Sequence, residues 1–445
     1  MTPTTETLWH VTVLSNFVRG YDKYARTYGK AGIPESTFPD RFFLLRENEL
    51  AIGVRKAQPL LEKLALAGNR LIALRTQVEA GQLHPNNRTG LGRYVLRPVI
   101  RIDGVAFVDL HPSETRITMI SVEETCALSL QLLQPKLHDY GNLQPRTFSV
   151  LPIARGCQAS CPFCFSEASA SALQEQARLD LDRVSRLVAA ARKKGAERFV
   201  ITGGGEPGLL RHGELRDLIG TGTALGKVVL ITNGHHLARR PTPDLAAALS
   251  DYTHAGLGVL AVSRHHHDDA ISARLMNLHT DAAAIATTWR GGLTRWAKLR
   301  FRFTCVLQRG GVDTPETMEA YIDWAAKLAV PEICFKELYV STSVESVFHR
   351  HAANEWSHAH QVPLSLVLDF AARHGFSEES RLPWGAPVFR GHWKGVPMRL
   401  AAYTEPSLFW ERTHGIARSW NLMADGRCLA SLEDRASELT RTEAA

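Results

Sequence analysis

A chain of 445 residues is longer than one ordinary core can organise, so two or three domains, or one large domain with extensions, are expected. Apolar residues at 44% and charged residues at 22% are the balance of a soluble globular protein and exclude a disordered or fibrous one. The net charge of +7 is spread rather than patched: residues 1–150 carry 18 Lys and Arg against 14 Asp and Glu, which allows a nucleic-acid partner without arguing for one.

The opening residues lack a basic start followed by an apolar core, and the longest clean apolar stretch, residues 255–262, is too short to cross a bilayer. Four of the seven cysteines (Cys126, Cys305, Cys334 and Cys428) stand far apart, unlike a secreted disulfide framework. A cytoplasmic protein without membrane association is expected.

In chain order, residues 60–74 read as a helix around Gly68, and residues 99–110 as a hairpin turning at Asp103-Gly104. Ser121 with Glu124 forms a capping box ahead of an apolar helix over 125–133. From residue 148 the pattern changes to a regular beat, with strands over 148–153, 198–202, 227–232, 258–263, 300–307 and 332–338 and helical segments between them. The helix over 180–194 puts Leu181, Val184, Leu187, Val188 and Ala191 on one face, with acids in its first turn, lysines in its last and Gly195 as its stop. Thr314 caps a later helix, with Pro315 in the first-turn position that suits proline. Six strands with helical crossovers predict an α/β fold: a partial (βα)6 TIM-like barrel core over 146–340, with α+β extensions over 1–145 and 341–445. The C-terminal extension reads as a helix ending at Gly375, a stretch rich in Trp, Pro and Gly, and two strand-like pieces over 398–403 and 420–429.

The loop after the first barrel strand carries Cys157, Cys161 and Cys164 within eight residues. A structural zinc site would want a fourth ligand, and no further Cys or His lies at a usual spacing. Three thiolates on a cluster of four irons leave one iron open, which is what a chelating amino acid needs. After the second strand comes Gly203-Gly204-Gly205-Glu206-Pro207, whose glycines let a backbone approach a ligand closely while Glu206 can receive an ammonium group.

On these motifs the chain resembles the radical S-adenosylmethionine (radical SAM) superfamily. Members share the three-cysteine loop, an aromatic residue before the third cysteine (here Phe163), and a Gly-Gly-Glu-Pro motif after the second strand (here Gly204, Gly205, Glu206 and Pro207). The resemblance covers roughly residues 146–340 and implies one 4Fe–4S cluster on Cys157, Cys161 and Cys164, with S-adenosylmethionine as second cofactor. Ile231-Thr232-Asn233-Gly234 is similar to the segment many members use near ribose and adenine, which assigns Thr232 and Asn233 to that role. Ser263 and Arg264 end the following strand where members place polar groups against the ribose and the methionine carboxylate, and the planar fork of Arg264 suits a carboxylate.

His265-His266-His267-Asp268 follows at the expected barrel mouth. Three successive loop residues do not point one way, so a polar loop with one structural histidine stands beside one of these residues touching substrate or cofactor. Lys336 and Glu337 end the last strand and read either as cavity charges or as a structural pair. The four scattered cysteines read as free thiols, hence one cluster, and the N-terminal region shows no Asp-x-His-x-x-Gly cobalamin pattern. The resemblance implies reductive cleavage of S-adenosylmethionine to a 5′-deoxyadenosyl radical that abstracts hydrogen from a small biosynthetic intermediate or a peptide, with an external electron donor of flavodoxin or ferredoxin type. An RNA substrate is the second enzymatic reading. A non-catalytic metal- or cluster-binding regulator is the reading of another class, and it leaves the Gly-Gly-Glu-Pro motif unexplained. One or both extensions, the C-terminal one in particular, are expected to close over the barrel mouth.

Overall fold

The computed structural model describes residues 138–165, 179–341, 346–348, 351–406, 411–412 and 414–439, and over residues 1–137 the backbone of six strands. The helices expected over 60–74 and 125–133 lie outside the described residues. The chain divides into two compact units, one of residues 1–137 and 342–345 and the other of residues 138–341 and 346–445.

In the first unit β1 (Leu8–Leu14), β2 (Phe42–Arg46), β3 (Arg88–Thr89), β4 (Gly92–Ile102), β5 (Val105–Asp109) and β6 (Met119–Ser121) form an antiparallel sheet in the order β2-β1-β4-β5-β6, with β3 on β4. β4 and β5 are the hairpin expected at Asp103-Gly104, with Ile102 opposite Val105.

The second unit is built on β7 (Gln144–Leu151), β8 (Arg198–Ile201), β9 (Lys227–Thr232), β10 (Leu257–Ser263), β11 (Arg300–Leu307) and β12 (Glu332–Glu337), paired in sequence order and all parallel. One or two helices lie in each crossover, the alternation of a partial (βα)6 barrel. Each strand sends alternate residues toward the helices: Phe148, Phe199, Phe301, Phe303 and Phe335 are fully buried there. The crossover helix Leu181–Lys193 starts where Asp180 accepts a hydrogen bond from the backbone N of Arg183 at 3.0 Å. It buries Val184, Leu187, Val188 and Ala191 and stops at Gly195, whose φ of 102° is the left-handed form glycine adopts freely. Thr314 and Pro315 open the helix Pro315–Lys327 as expected.

The C-terminal segment adds β13 (Ser377–Arg381), β14 (Pro387–Trp393), β15 (Val396–Tyr403), β16 (Ile416–Met423) and β17 (Cys428–Leu429), giving the order β13-β14-β15-β12-β11-β10-β9-β8-β7-β16-β17. The stretch rich in Trp, Pro and Gly is thus largely strand, turning between β14 and β15 at Lys394 and Gly395, both with positive φ. The strand expected over 420–429 is two strands, because Gly426 (φ 85°) turns the chain and lets its N donate back to Met423 O at 2.9 Å. β15 joins the free edge of β12 and β16 the free edge of β7, both parallel. Glu405, just after β15, pairs with Lys336 of β12 and, at 2.6 Å, with Arg418 of β16, so one carboxylate links the two ends of the eight parallel strands. Among the described residues no helix is long and apolar enough to cross a membrane.

Candidate functional site

The chain leaves β7 at Leu151 and runs through Gly156 (φ 106°) into the cysteine loop. Cys164 N donates to Cys161 O at 3.0 Å, closing a turn between the second and third thiols. The loop is held from outside by the C-terminal end of the helix Asp269–Met276: Met276 O accepts from Ser160 N at 2.9 Å and from the Cys161 thiol at 3.8 Å. Cys157 and Cys164 are exposed, Cys161 half-buried, and none is bridged. Burial pushes the Cys157 thiol up, and burial together with the charges of Cys164 and Cys157 pushes Cys161 up to about 12. Among the described residues no three His, Cys, Asp or Glu side chains are gathered as ligands of a single ion. Three soft thiols spread along one accessible loop fit the donor set of an iron–sulfur cluster, which binds them through separate irons, and binding would displace their protons. Cys305, Cys334 and Cys428 are unbridged and buried or half-buried; Cys126 lies outside the described residues.

The glycine motif after β8 lies directly on this loop. Glu206 N donates to Gly156 O at 3.0 Å. A Cβ on Gly205 would stand 2.3 Å from Gly156 O and 2.5 Å from Ile153 Cγ2, and one on Gly204 (φ 99°) would stand 3.2 Å from Leu151 Cβ. Gly205 is therefore required by chain-to-chain packing, and Gly204 by its positive φ. Glu206, 4% exposed, is turned inward. Its Oε1 accepts from Gly208 N at 2.8 Å and from the Thr232 hydroxyl, and its Oε2 accepts from Asn233 N at 2.8 Å. Oε2 keeps a further lone pair. Burial raises the pKa of the Glu206 carboxyl, against the three hydrogen bonds, which lower it. Pro207 opens a short 3-10 turn with Glu206 as its cap.

Thr232 and Asn233 end β9 beside this carboxylate, both buried. The Asn233 amide stands 3.6 Å from the Cys157 sulfur and 3.2 Å from Gln158 Oε1, while its own oxygen accepts from His235 N at 2.9 Å. The motifs after β7, β8 and β9 are thus one hydrogen-bonded body.

Ser263 ends β10 half-buried. Arg264 departs from its expected direction: its guanidinium, 3% exposed, is spent within its own loop. Nε donates to His266 O at 2.7 Å, and the second terminal nitrogen donates to His267 O at 3.0 Å and pairs with Asp269. The group also lies over the Trp324 ring at 5.0 Å. In this position Arg264 shapes the loop and does not present its fork to a bound carboxylate.

The histidine run sorts into three roles. His265 is buried, and its Nδ1 accepts from Val306 N at 3.0 Å, which assigns the proton of the neutral ring to Nε2. Burial, then Arg264, holds its pKa down at about 3. His266 Nδ1 accepts from Asp268 N at 3.0 Å, and His267 stacks on His266. Asp268 caps the helix whose far end holds the cysteine loop. Phe163 stands edge-on to His265 with centroids 5.2 Å apart, and 5.9 Å from Trp356 of the helix Ala352–His360. Trp356 and the Met276 carbonyl are site elements that no motif announces: one comes from a distant segment, the other is a backbone atom. Glu337 is buried, whereas Lys336 points to the other face of β12 and pairs with Glu405.

Residues 151–285 match the family model described as the radical SAM superfamily. No curated protein matches the chain. Among solved structures, the chain is similar to Streptococcus suis SuiB bound to S-adenosylmethionine, at 15% identity over 64% of this chain and 60% of that one, with a TM-score of 0.41. It is also similar to SuiB bound to the precursor peptide SuiA (13%, 95% and 82%, 0.42) and to Escherichia coli coproporphyrinogen III oxidase, HemN (14%, 54% and 54%, 0.35). The chain therefore spans less than two thirds of SuiB in its S-adenosylmethionine complex.

Proposed function

We propose that this chain, a radical SAM enzyme by its domain over residues 151–285, holds one 4Fe–4S cluster on Cys157, Cys161 and Cys164 and acts on a small molecule or a residue of a peptide. When bound, the cluster and S-adenosylmethionine together supply a 5′-deoxyadenosyl radical, which takes a hydrogen atom from the substrate. The observation that carries the reading is the 3.0 Å bond from Glu206 N to Gly156 O, which joins the glycine motif to the thiol loop one residue before Cys157.

The remaining work belongs to the protein's own groups. The second lone pair of Glu206 Oε2 receives the cofactor's ammonium, and Gly204, Gly205 and Pro207 shape the backbone around it. Thr232 and Asn233 hold that carboxylate in place, with Asn233 and Ser263 facing the ribose side. Arg264 fixes the loop that carries His265, and Phe163, between His265 and Trp356, walls the site from water. Residues 1–145 and 341–445 flank the core over 146–340 in the chain, and the C-terminal segment covers its mouth through Trp356. The electron comes from a cytoplasmic flavodoxin- or ferredoxin-type donor.

Anaerobic reconstitution should give about four irons per chain, and changing Cys157, Cys161 and Cys164 together to Ala should abolish this. With a strong reductant the loaded protein should release 5′-deoxyadenosine, and Glu206→Ala should weaken S-adenosylmethionine binding about tenfold or more with iron content intact. A full cluster in the triple variant, or unchanged cofactor affinity in Glu206→Ala, would overturn the respective assignment.

A further inference from the structure

The helix-facing residues of the barrel strands are apolar apart from end positions such as Arg146 and Glu337, but the opposite face changes character along its length. At the C-terminal strand ends it carries Ser263 and its partner Thr304, while midway Ala261 lies between Ile231 and Arg302. At the N-terminal ends the register brings cations together. Arg198 of β8 is the direct partner of Lys227 of β9. Arg300 and Arg302 of β11 lie on the same face, and Arg302 partners Glu332 of β12, which partners Arg399 of β15. Their neighbours Phe199, Val228, Phe301, Phe303, Ile333 and Leu400 are all buried on the other side.

The compensation is incomplete. Glu332 accepts from Arg300 Nε at 2.6 Å and stands 3.5 Å from Arg399, which also pairs with Glu379 at 2.6 Å. Arg198, Lys227 and Arg302 enter no ion pair among the described residues, and Arg302 Nε is buried there without a hydrogen-bond partner. Glu379 also pairs at 3.4 Å with Arg390, the direct partner of Arg399, so six cations face two carboxylates, although like charges on directly opposed strand positions repel. Burial, followed by the charges of Arg300, Arg198, Arg302 and Arg399, lowers Lys227 to about 8. The group remains accessible: Arg198 is exposed, Lys227 half-buried, and the Arg300 and Arg399 side chains are 38% and 31% open.

A face with surplus positive charge, partly desolvated and rich in guanidinium forks, is complementary to oxygen-rich anions. The cations are spread over several adjacent strands, wider than one phosphate and suited to a chain of them. Lys227 precedes Thr232 by five residues of extended chain, roughly 16 Å, and Arg302, the partner of Ala261, stands two residues, roughly 7 Å, short of the level of Ser263, so the group rises from the floor toward the proposed cofactor contacts without including them.

We propose that the N-terminal floor of the barrel, formed by Arg198, Lys227, Arg300, Arg302 and Arg399, is a binding site for the diphosphate or triphosphate group of a small molecule. The site needs neither cluster nor S-adenosylmethionine, so it stands or falls independently of the cofactor assignment.

The test is titration of inorganic pyrophosphate into the full-length protein at constant ionic strength, followed by calorimetry and by thermal shift, with sodium chloride as the matched control. Saturable binding and a raised Tm are expected. Lys227→Gln and Arg302→Gln should each weaken that binding about tenfold or more, while Lys227→Arg keeps most of it. Both Gln variants should melt at or above the wild-type Tm without pyrophosphate, because repulsion is relieved; this separates ligand loss from misfolding. Absence of saturable binding beyond the chloride control, or equal affinity in the two Gln variants, would overturn the site.

Discussion

Gly205 shows how one residue can matter to a site it does not ligate. Its Cα packs so closely on the strand-end loop that any Cβ would collide with Gly156 O and Ile153 Cγ2, both rigidly held. Gly205→Ala should therefore displace the backbone next to Cys157, at a cost of about 1–3 kcal/mol, and lower the iron retained after reconstitution. Gly195→Ala is the control. That glycine has φ 102° but nothing within 4 Å of its Cβ position, so the variant should cost about 1–2 kcal/mol of stability in a melt and leave iron content unchanged. The motif containing Gly205 is legible in the sequence as a ligand-approach loop; that Gly205 is required by another loop is not, because Gly156 and Ile153 meet it only after β7 and β8 pair. The hydrogen bonds of Arg264 are illegible for a related reason. Residue type fits a carboxylate, but the sequence does not reveal that the carbonyls of residues 266 and 267 would claim the same nitrogens first.

At the scale of elements, the six parallel strands are legible because their signals are local: alternating apolar runs, caps such as Asp180 and Thr314, and stops such as Gly195. The edge strands are not. β16 reads as a strand, yet nothing local says that it lies along β7, where the Thr147 hydroxyl donates to Arg418 O across 271 residues of sequence. That pairing brings charge into the interior. Glu405 is buried, which would raise its pKa, but Arg418 and Lys336 outweigh burial and hold it at about 2. Its contribution is complete above the ordinary 4.5 and is lost as pH falls toward 2. Glu411, which accepts from Arg418 N, behaves oppositely: burial pushes it up to about 8 despite Arg418. The folded state then keeps a proton that the unfolded chain gives up, so this group's contribution declines as pH rises from about 4.5 to about 8. Glu411→Gln should flatten the decline of Tm between pH 5 and pH 8. Arg418→Met, by leaving Glu405 with Lys336 alone, should cost about 1–3 kcal/mol at pH 7 in denaturant unfolding, the cost of removing one of two charged partners.

For the whole molecule the question is what shields a reactive site at the mouth of the barrel. The described residues give part of the answer. The second unit contains the core and the C-terminal segment together, and the helix Ala352–His360 delivers Trp356 to Phe163, within the cysteine motif. Trp356 is itself braced, stacking on His360 with centroids 3.8 Å apart and nearly parallel rings. A wall made this way has a specific consequence if the radical chemistry runs beside Phe163, because water and loose hydrogen donors reach the site once the ring is gone. Trp356→Ala should leave iron content and S-adenosylmethionine affinity unchanged. In D2O with reductant but without substrate, it should raise deuterium incorporation into 5′-deoxyadenosine several-fold over wild type, through exchangeable donors that the wall had kept out. The readout is mass spectrometry of the nucleoside, normalised to the amount formed. Equal incorporation in variant and wild type would mean that Trp356 only braces Phe163, and that the shielding comes from another part of the chain.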